Sequence, residues 1–374
     1  MRSKQKLLFL ALTAFSHMGG IEKFNRAIIY ALGKLATDLR FSCSYAAMHD
    51  HSVNEQYVSN GRFKPYKSNK LWFVLSSIIK GLNQDVLIIG HLNLAVIAVV
   101  VKRLRPNKKL VVICHGIEVF EEVSGFKKQL LQNADLVLAV SNYTRTQLIN
   151  KQQLLPEKVI VFPNTIDPFF QLPQQFERPD YLVKRYGIKE GEKIIFTLTR
   201  LNSTEGYKGY DTVISLLPLL KAQDYRFRYI LAGKADEQEH KRMQQLIEEL
   251  HLQDVVLMPG FIADEEITDH YLLADVFAMP SKGEGFGIVF IEAMACGLQV
   301  IAGNKDGSTE ALQFGKLGQL VDPDSPDEIT AALEHAFMHP AAPSEIQQNM
   351  LHYFSFARFG ERLRDVLTHK RISA

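Results

Sequence analysis

Two glutamates, Glu284 and Glu292, stand with seven residues between them in the stretch 280–297, PSKGEGFGIVFIEAMACG. Glu284 lies among Gly283, Gly285 and Gly287, and Glu292 falls one to two turns into the apolar run that follows. Glycines leave backbone amides approachable, and the first N–H groups of a helix lack partners and carry the positive end of its dipole. A strand, such a loop and a helix, in that order, make a site for a phosphate-bearing or polyhydroxy ligand.

Other residues could share in that chemistry. Arg200 follows the apolar run 193–199, and Lys208 lies eight residues on, across a loop holding Gly206. A planar guanidinium fork and a point charge both suit diphosphate oxygens; two solvated surface cations are the plain alternative. Gly19-Gly20, between a first strand and its helix, is half a dinucleotide-binding fingerprint, or simply a tight turn. His115 ends the run 111–114 before Gly116, and His91 after Gly90 is a weaker case. A strand-end histidine faces a ligand in a doubly wound sheet, although most lone histidines are structural. No histidine or acid cluster has metal-ligand spacing, and neither a GxSxG elbow nor a Walker loop occurs.

The elements that must hold these residues read as strands alternating with helices. Strand-like runs at 6–14, 41–46, 85–89, 109–114, 135–140 and 158–162 are separated by helical patterns at 21–39, 93–104, 125–133 and 142–151. After the segment 167–179, with three prolines and three glutamines, a second set begins. Its strands are 193–199, 226–232, 255–258, 275–279, 300–302 and 318–321, with helices at 209–222, 236–251, 264–273, 286–295 and 326–337. Apolar strands alternating with helices imply α/β architecture: two Rossmann-like doubly wound domains facing each other across a cleft. The expected domains are 1–168 and 169–350, with the closing segment 351–374 helical over 355–369 and packed back on the first domain.

Composition narrows the class. With 47% apolar and 22% charged residues the chain is globular, and a net charge of +2 gives no sign of a nucleic-acid partner. Cys43, Cys114 and Cys296 lie in apolar runs and read as reduced core thiols of a cytoplasmic protein. The basic and apolar start is short for a signal peptide and fits a first strand better; the run 94–101 is far too short to span a bilayer.

Together these residues resemble the retaining family-4 glycosyltransferases of GT-B fold. The resemblance is carried by Arg200 and Lys208-Gly209, Pro259-Gly260, Ala274-Asp275, and Pro280-Ser281 through Glu284-Gly285-Phe286-Gly287 to Glu292 and Gly297. It extends to Pro163-Asn164-Thr165-Ile166-Asp167, with Thr165 for the usual glycine, to Gly19-Gly20 and to the segment 354–359. It implies that the first domain binds the acceptor and the second a UDP- or GDP-linked sugar, with no metal and no further cofactor, since the nucleotide sugar is a substrate.

By the same resemblance Arg200 and Lys208 hold the diphosphate, and the Gly20 amide, beside Gly19, touches the distal phosphate. Glu292 accepts the ribose hydroxyls. Glu284, Gly285, Phe286, Gly287 and Ile288 form the loop that reads the sugar, and His115 lies near the anomeric carbon. Gly260, Phe261 and Ile262 receive the base through backbone contacts. Glu118 and Glu121-Glu122 are the nearest carboxylates for an opposite face. The implied reaction moves a hexose to a glycan or lipid-linked acceptor of envelope, capsule or exopolysaccharide synthesis. A phosphorylase or epimerase of the same fold and a non-catalytic nucleotide-sugar binding protein stand as rivals. His115-Gly116-Ile117-Glu118 replaces the usual His-Asp, and 302–304 and 306–310 depart from the small-residue and Gly-Gly-x-x-Glu pattern, which unsettles the diphosphate-side loop.

One segment stands outside this scheme. Residues 62–80, RFKPYKSNKLWFVLSSIIK, interleave cations with Tyr66, Trp72 and Phe73, and Lys102-Arg103, Arg105 and Lys108-Lys109 add a second basic cluster. Peripheral contact with an anionic membrane is one reading, and solvated faces with core aromatics the other.

Overall fold

Three aspartates, Asp85, Asp135 and Asp275, each precede an apolar strand by one residue and pin it to its neighbour. In the computed structural model, which describes residues 4–59 and 61–368, each holds both backbone groups of one residue on the adjacent strand. The Asp85 N–H donates to the Lys6 carbonyl while its Oδ2 accepts the Lys6 N–H, both at 2.8 Å. Asp135 does the same with Leu110 at 2.9 and 2.8 Å, and Asp275 with Ile194 at 2.9 and 2.7 Å. A cation attends each carboxylate: Lys108 at 3.7 Å from Asp85, Lys102 at 2.8 Å from Asp135, and Arg178 with Lys193 around Asp275. A one-residue slip would turn every buried side chain outward, so a clip at the strand start fixes a register on which the whole sheet depends.

The chain forms two units, one made of residues up to Phe169 together with those from Phe354 on, the other of Phe170–Tyr353. The first begins β1 (Gln5–Ala11), α1 (Gly20–Asp38), β2 (Phe41–Ala47), β3 (Arg62–Pro65), α2 (Lys70–Leu82), β4 (Val86–Ile89) and α3 (Ala95–Leu104). It continues β5 (Lys109–Cys114), α4 (Gly125–Asn133), β6 (Leu136–Ala139), α5 (Asn142–Asn150) and β7 (Val159–Val161). The second unit runs α6 (Asp180–Tyr186), β8 (Lys193–Leu198), α7 (Tyr210–Ala222), β9 (Phe227–Ala232), α8 (Glu237–Glu249), β10 (Val256–Gly260), α9 (Asp264–Leu273) and β11 (Val276–Met279). It ends α10 (Ile288–Ala295), β12 (Gln299–Gly303), α11 (Ser308–Ala311), β13 (Gln319–Val321), α12 (Pro326–Met338) and α13 (Pro343–Phe354), after which α14 (Phe356–Thr368) belongs to the first unit.

Each unit holds one wholly parallel sheet, ordered β3-β2-β1-β4-β5-β6-β7 in the first and β10-β9-β8-β11-β12-β13 in the second. The direction in which successive strands are added to the sheet reverses between β1 and β4, and again between β8 and β11. At such a switch point the loops leaving the two strands part to opposite faces, opening a crevice at the carboxyl end. The central strands are buried on both faces, which is why they read as unbroken apolar runs. Among the described residues no helix is long and apolar enough to cross a membrane.

The last helix packs within the first unit. Phe359 meets Phe162 with ring centroids 4.8 Å apart and Phe24 at 5.7 Å, and Arg364 pairs with Asp38 at 2.8 Å. Just before it, the Phe354 carbonyl accepts the Ile166 N–H at 3.1 Å and the Thr165 hydroxyl at 2.9 Å. Thr165 thus uses the side chain that a glycine would lack. Residue 369, the expected end of this helix, lies outside the described residues, as do 370–374 of the closing segment.

Several expected elements change. The first strand stops at Ala11 instead of residue 14, because the backbone amides of 14–16 turn to the buried Asp50 carboxylate. Helix α10 starts at Ile288 and not at 286, since Gly287 takes a left-handed backbone, φ 86°. Segment 62–80 divides into the edge strand β3 and the helix α2, with Tyr66 and Phe73 in the core and Trp72 outside. Helix α13 is an addition to the expected elements. Removing one clip should be costly: Asp275→Ala is expected to lower the free energy of unfolding by about 1–3 kcal/mol, the scale for charge-assisted hydrogen bonds left unmade, as read by urea denaturation.

Candidate functional site

The candidate residues fall into two groups, one in each unit, gathered beyond the carboxyl ends of the strands of its own sheet. In the second unit the loops after β8 and β11 are joined to each other. Gly209 has φ 78°, and a Cβ there would stand 2.3 Å from the Pro280 carbonyl oxygen, so both conformation and space demand glycine. The Lys282 N–H donates to the Tyr207 carbonyl at 2.8 Å. Across this seam the Lys208 ammonium pairs with the Glu284 carboxylate, each side chain 14% exposed. Burial pulls the Lys208 pKa down, but Glu284, Tyr207 and Glu205 outweigh it, so the net shift is upward and the ammonium stays charged. Arg200 differs. Its side chain is 69% exposed and pairs with Glu205.

The loop carrying Glu284 rests on a residue that the sequence pattern did not single out. The buried Asp306 carboxylate accepts the Glu284 N–H at 2.7 Å, the Ser281 hydroxyl at 2.8 Å and the Ser308 N–H at 2.9 Å. The next residue, Gly307, donates its N–H to the Glu284 carbonyl at 2.9 Å, and a Cβ on it would lie 2.1 Å from the Gly285 carbonyl oxygen. Both backbone groups of Glu284 are therefore held by the 306–307 turn. Burial pushes the Asp306 pKa up to about 6, against the donors that favour its charged form. The departure from the Gly-Gly-x-x-Glu pattern is thus a scaffold beneath the Glu284 loop. A further omission is Gly233, whose Cβ would be 1.7 Å from the Thr199 carbonyl oxygen, beside Arg200. A glycine closing the apolar run 226–232 was its one sequence signal.

The remaining residues of this group are more enclosed than expected. Phe286 and Ile288 are buried core anchors, so with Gly285 and Gly287 they offer a ligand backbone and not side chains. Glu292 is fully buried on α10, with the Tyr271 hydroxyl donating to it at 3.4 Å. At the end of β10, Gly260 accepts the Gly233 N–H at 2.8 Å, Phe261 is exposed and Ile262 is buried.

In the first unit Asp50 does for the β1–α1 loop what Asp306 does for the Glu284 loop. Fully buried, it accepts the Thr13 hydroxyl at 2.8 Å and the N–H groups of Ala14, Phe15 and Ser16 at 2.9–3.2 Å. This loop leads to Gly19, whose backbone is extended, and to Gly20, the first residue of α1. Glycine is not demanded by conformation there. The Glu22 carboxylate leans over Gly19, 2.5 Å from where a Cβ would be, bringing an acid to the helix end where a phosphate was expected.

His115 is held on several sides. Its Nε2–H donates to the Gly90 carbonyl at 2.9 Å, its backbone N–H donates to Glu118 at 2.6 Å, and its ring meets Phe24 edge-on at 5.2 Å. A carbonyl can only accept, so the proton sits on Nε2 and Nδ1 keeps its lone pair. Burial lowers the His115 pKa to about 4, leaving a neutral imidazole. His91, stacked 6.5 Å away, is also lowered to about 4 by burial, and its Nδ1 accepts the Asn93 N–H at 3.1 Å. Glu118 serves His115's backbone.

Two measurements check this geometry. Asp306→Ala should speed amide hydrogen exchange at Glu284 and Ser308 by about tenfold or more, the equivalent of one lost hydrogen bond, while strands β8 and β11 stay protected. His115 is protonated less readily in the folded chain, about 4 against 6.5. It costs the fold nothing above pH 6.5 and destabilises it progressively as pH falls toward 4. The drop in Tm from pH 7 to pH 5 should therefore shrink in His115→Gln.

Known proteins resemble this chain in sequence and in fold. Residues 18–169 match the family described as Glycosyltransferase Family 4, and residues 180–351 match Glycosyl transferases group 1. A GDP-mannose-dependent alpha-(1-6)-phosphatidylinositol monomannoside mannosyltransferase of Mycobacterium tuberculosis is 31% identical over 62% of this chain and 61% of its own length. The match thus spans less than two thirds of that relative. The N-acetyl-alpha-D-glucosaminyl L-malate synthase of Bacillus anthracis is 26% identical over 84% of each chain. In fold, the crystal structure of Anabaena HepE in complex with UDP superposes with a TM-score of 0.77 at 22% identity, covering 97% of this chain and 100% of that one. The chain is a member of the family-4 glycosyltransferases of GT-B fold.

Proposed function

We propose that the protein is a retaining, metal-independent hexosyltransferase. It takes a sugar from a UDP- or GDP-linked donor to a glycan or lipid-linked acceptor in envelope, capsule or exopolysaccharide synthesis. The nucleotide sugar is its substrate, and no further cofactor takes part. The observation that carries this reading is the buried Lys208–Glu284 pair on two interlocked loops at the switch point of the second unit.

On this reading the sugar's hydroxyls and the donor phosphates compete for groups that now satisfy each other. Lys208 and Arg200 turn from Glu284 and Glu205 to the diphosphate, and Glu284 with the amides of 285–288 takes the sugar's hydroxyls. Glu292 takes the ribose, Gly20 the distal phosphate, and the residues 260–262 the base. His115, neutral with a lone pair on Nδ1, lies by the anomeric carbon as an acceptor for a sugar hydroxyl. The bond from the anomeric carbon to the phosphate oxygen breaks as the acceptor oxygen bonds to the same face. The acceptor's proton leaves on that phosphate oxygen. Negative charge grows on the departing nucleotide, and fixed cations stabilise it more than they do the ground state. Relatives whose names specify mannosyl and N-acetylglucosaminyl transfer support the reaction class and leave the sugar open.

A thermal-shift screen of UDP- and GDP-sugars should raise Tm with one donor class, since a ligand selective for the native state stabilises it as occupancy rises. With that donor, Glu284→Ala should abolish transfer while nucleotide affinity holds; unimpaired transfer would remove Glu284 from the sugar site. Lys208→Ala and Arg200→Ala should each cost about 2–4 kcal/mol in kcat/KM, the scale for one lost transition-state donor.

A further inference from the structure

Helix α2 carries an apolar stripe that none of the described residues of the first unit covers. Leu71, Trp72, Leu75 and Ile79 are between 47% and 72% exposed, and at 3.6 residues per turn they fall within an arc of about 100°. The opposite face buries Phe73, Ser76, Ser77 and Gly81, so the helix has two apolar sides and only one is used by the fold. Single exposed apolar side chains are ordinary, but four large ones on one arc mark a contact surface.

The charge around the stripe is of one sign. Arg62, Lys64, Lys67, Lys70 and Lys80 flank it, no acid occurs from residue 61 to 84, and none of the five is ion-paired among the described residues. Lys64 lies over the Tyr66 and Trp72 rings, at 4.8 and 5.5 Å from their centroids. We propose that this face of α2 docks on an anionic lipid bilayer: Leu71, Trp72, Leu75 and Ile79 enter the headgroup–acyl boundary, and the surrounding cations meet lipid phosphates. A stripe of large apolar and aromatic side chains fringed by lysines is the pattern that lies in such an interface. A second copy of the chain is a poorer occupant, because pairing this face with itself would set five cations against five without an intervening acid.

Topology gives the docking a consequence. Helix α2 follows β3 of a parallel sheet, so it begins at the carboxyl edge, where Gly19-Gly20 and His115 also lie. A bilayer against α2 adjoins that edge and favours an acceptor with a lipid anchor. That last step rests on the proposed function, whereas the docking does not and is tested without turnover.

Trp72 is the single tryptophan of the chain, which makes it a built-in probe. The full-length protein should sediment with vesicles of phosphatidylglycerol and phosphatidylcholine in equal parts and not with phosphatidylcholine alone. Its fluorescence should shift to the blue on binding, and binding should weaken as salt is raised. Leu71→Ser/Ile79→Ser should lower vesicle affinity by about tenfold or more, from the lost apolar burial, with an unchanged circular dichroism spectrum. Lys64→Glu/Lys67→Glu/Lys70→Glu should abolish binding. Absence of both sedimentation and blue shift at low salt overturns the proposal. So does a wild-type dimer that Leu71→Ser/Ile79→Ser converts to monomer while vesicle binding is nil, since the stripe would then be covered by a second copy.

Discussion

A buried carboxylate that accepts backbone amides is the interaction on which both candidate sites depend. A loop leaving a parallel strand has no ladder to satisfy its N–H groups, and an unpaired buried amide costs as much as a lost hydrogen bond. Asp306 answers this for the loop of Glu284, and Asp50 for the loop that leads to Gly19 and Gly20. Neither aspartate is in the loop it supports. Each comes from a neighbouring turn, so the shape of the site is written by residues beside it in space and distant in sequence.

Three other aspartates apply the same chemistry at the opposite ends of the strands. Asp85, Asp135 and Asp275 lock register at strand starts, and the loops at strand ends inherit that register. With β8 and β11 locked by Asp275, Gly209 meets Pro280 closely enough that no side chain fits, and Lys208 is carried against Glu284. Charge pairing in this region is local: Lys208 with Glu284, Arg200 with Glu205, Lys282 and Lys305 with Asp324. An anionic ligand would therefore exchange with carboxylates already in place, and the binding energy would be the difference between two satisfied arrangements.

Legibility followed the range of the interactions. Alternating apolar runs and helical patterns disclosed the two parallel sheets, since a strand buried on both faces must be apolar throughout. The edge strand β3 and helix α2 were hidden because their residues face both core and solvent, and their cations read as a surface segment. Helix α10 begins two residues later than its apolar run predicts, a shift that follows from the left-handed Gly287.

What the sequence determined by itself was the sheet class, the family, and the chemical types gathered around 200–208 and 280–292. Periodicity and short motifs are properties of neighbouring residues, and they survive without coordinates. Tertiary structure alone decided that Asp306 holds Glu284, that Glu292 is enclosed, that the His115 ring is held on the Gly90 carbonyl, that Glu22 leans over Gly19, and that Trp72 points outward while Phe73 points in. Each depends on which strands lie side by side and which face a helix turns to them. Those are relations between residues far apart in the chain, settled only when the sheet closes its hydrogen bonds and buries its apolar faces.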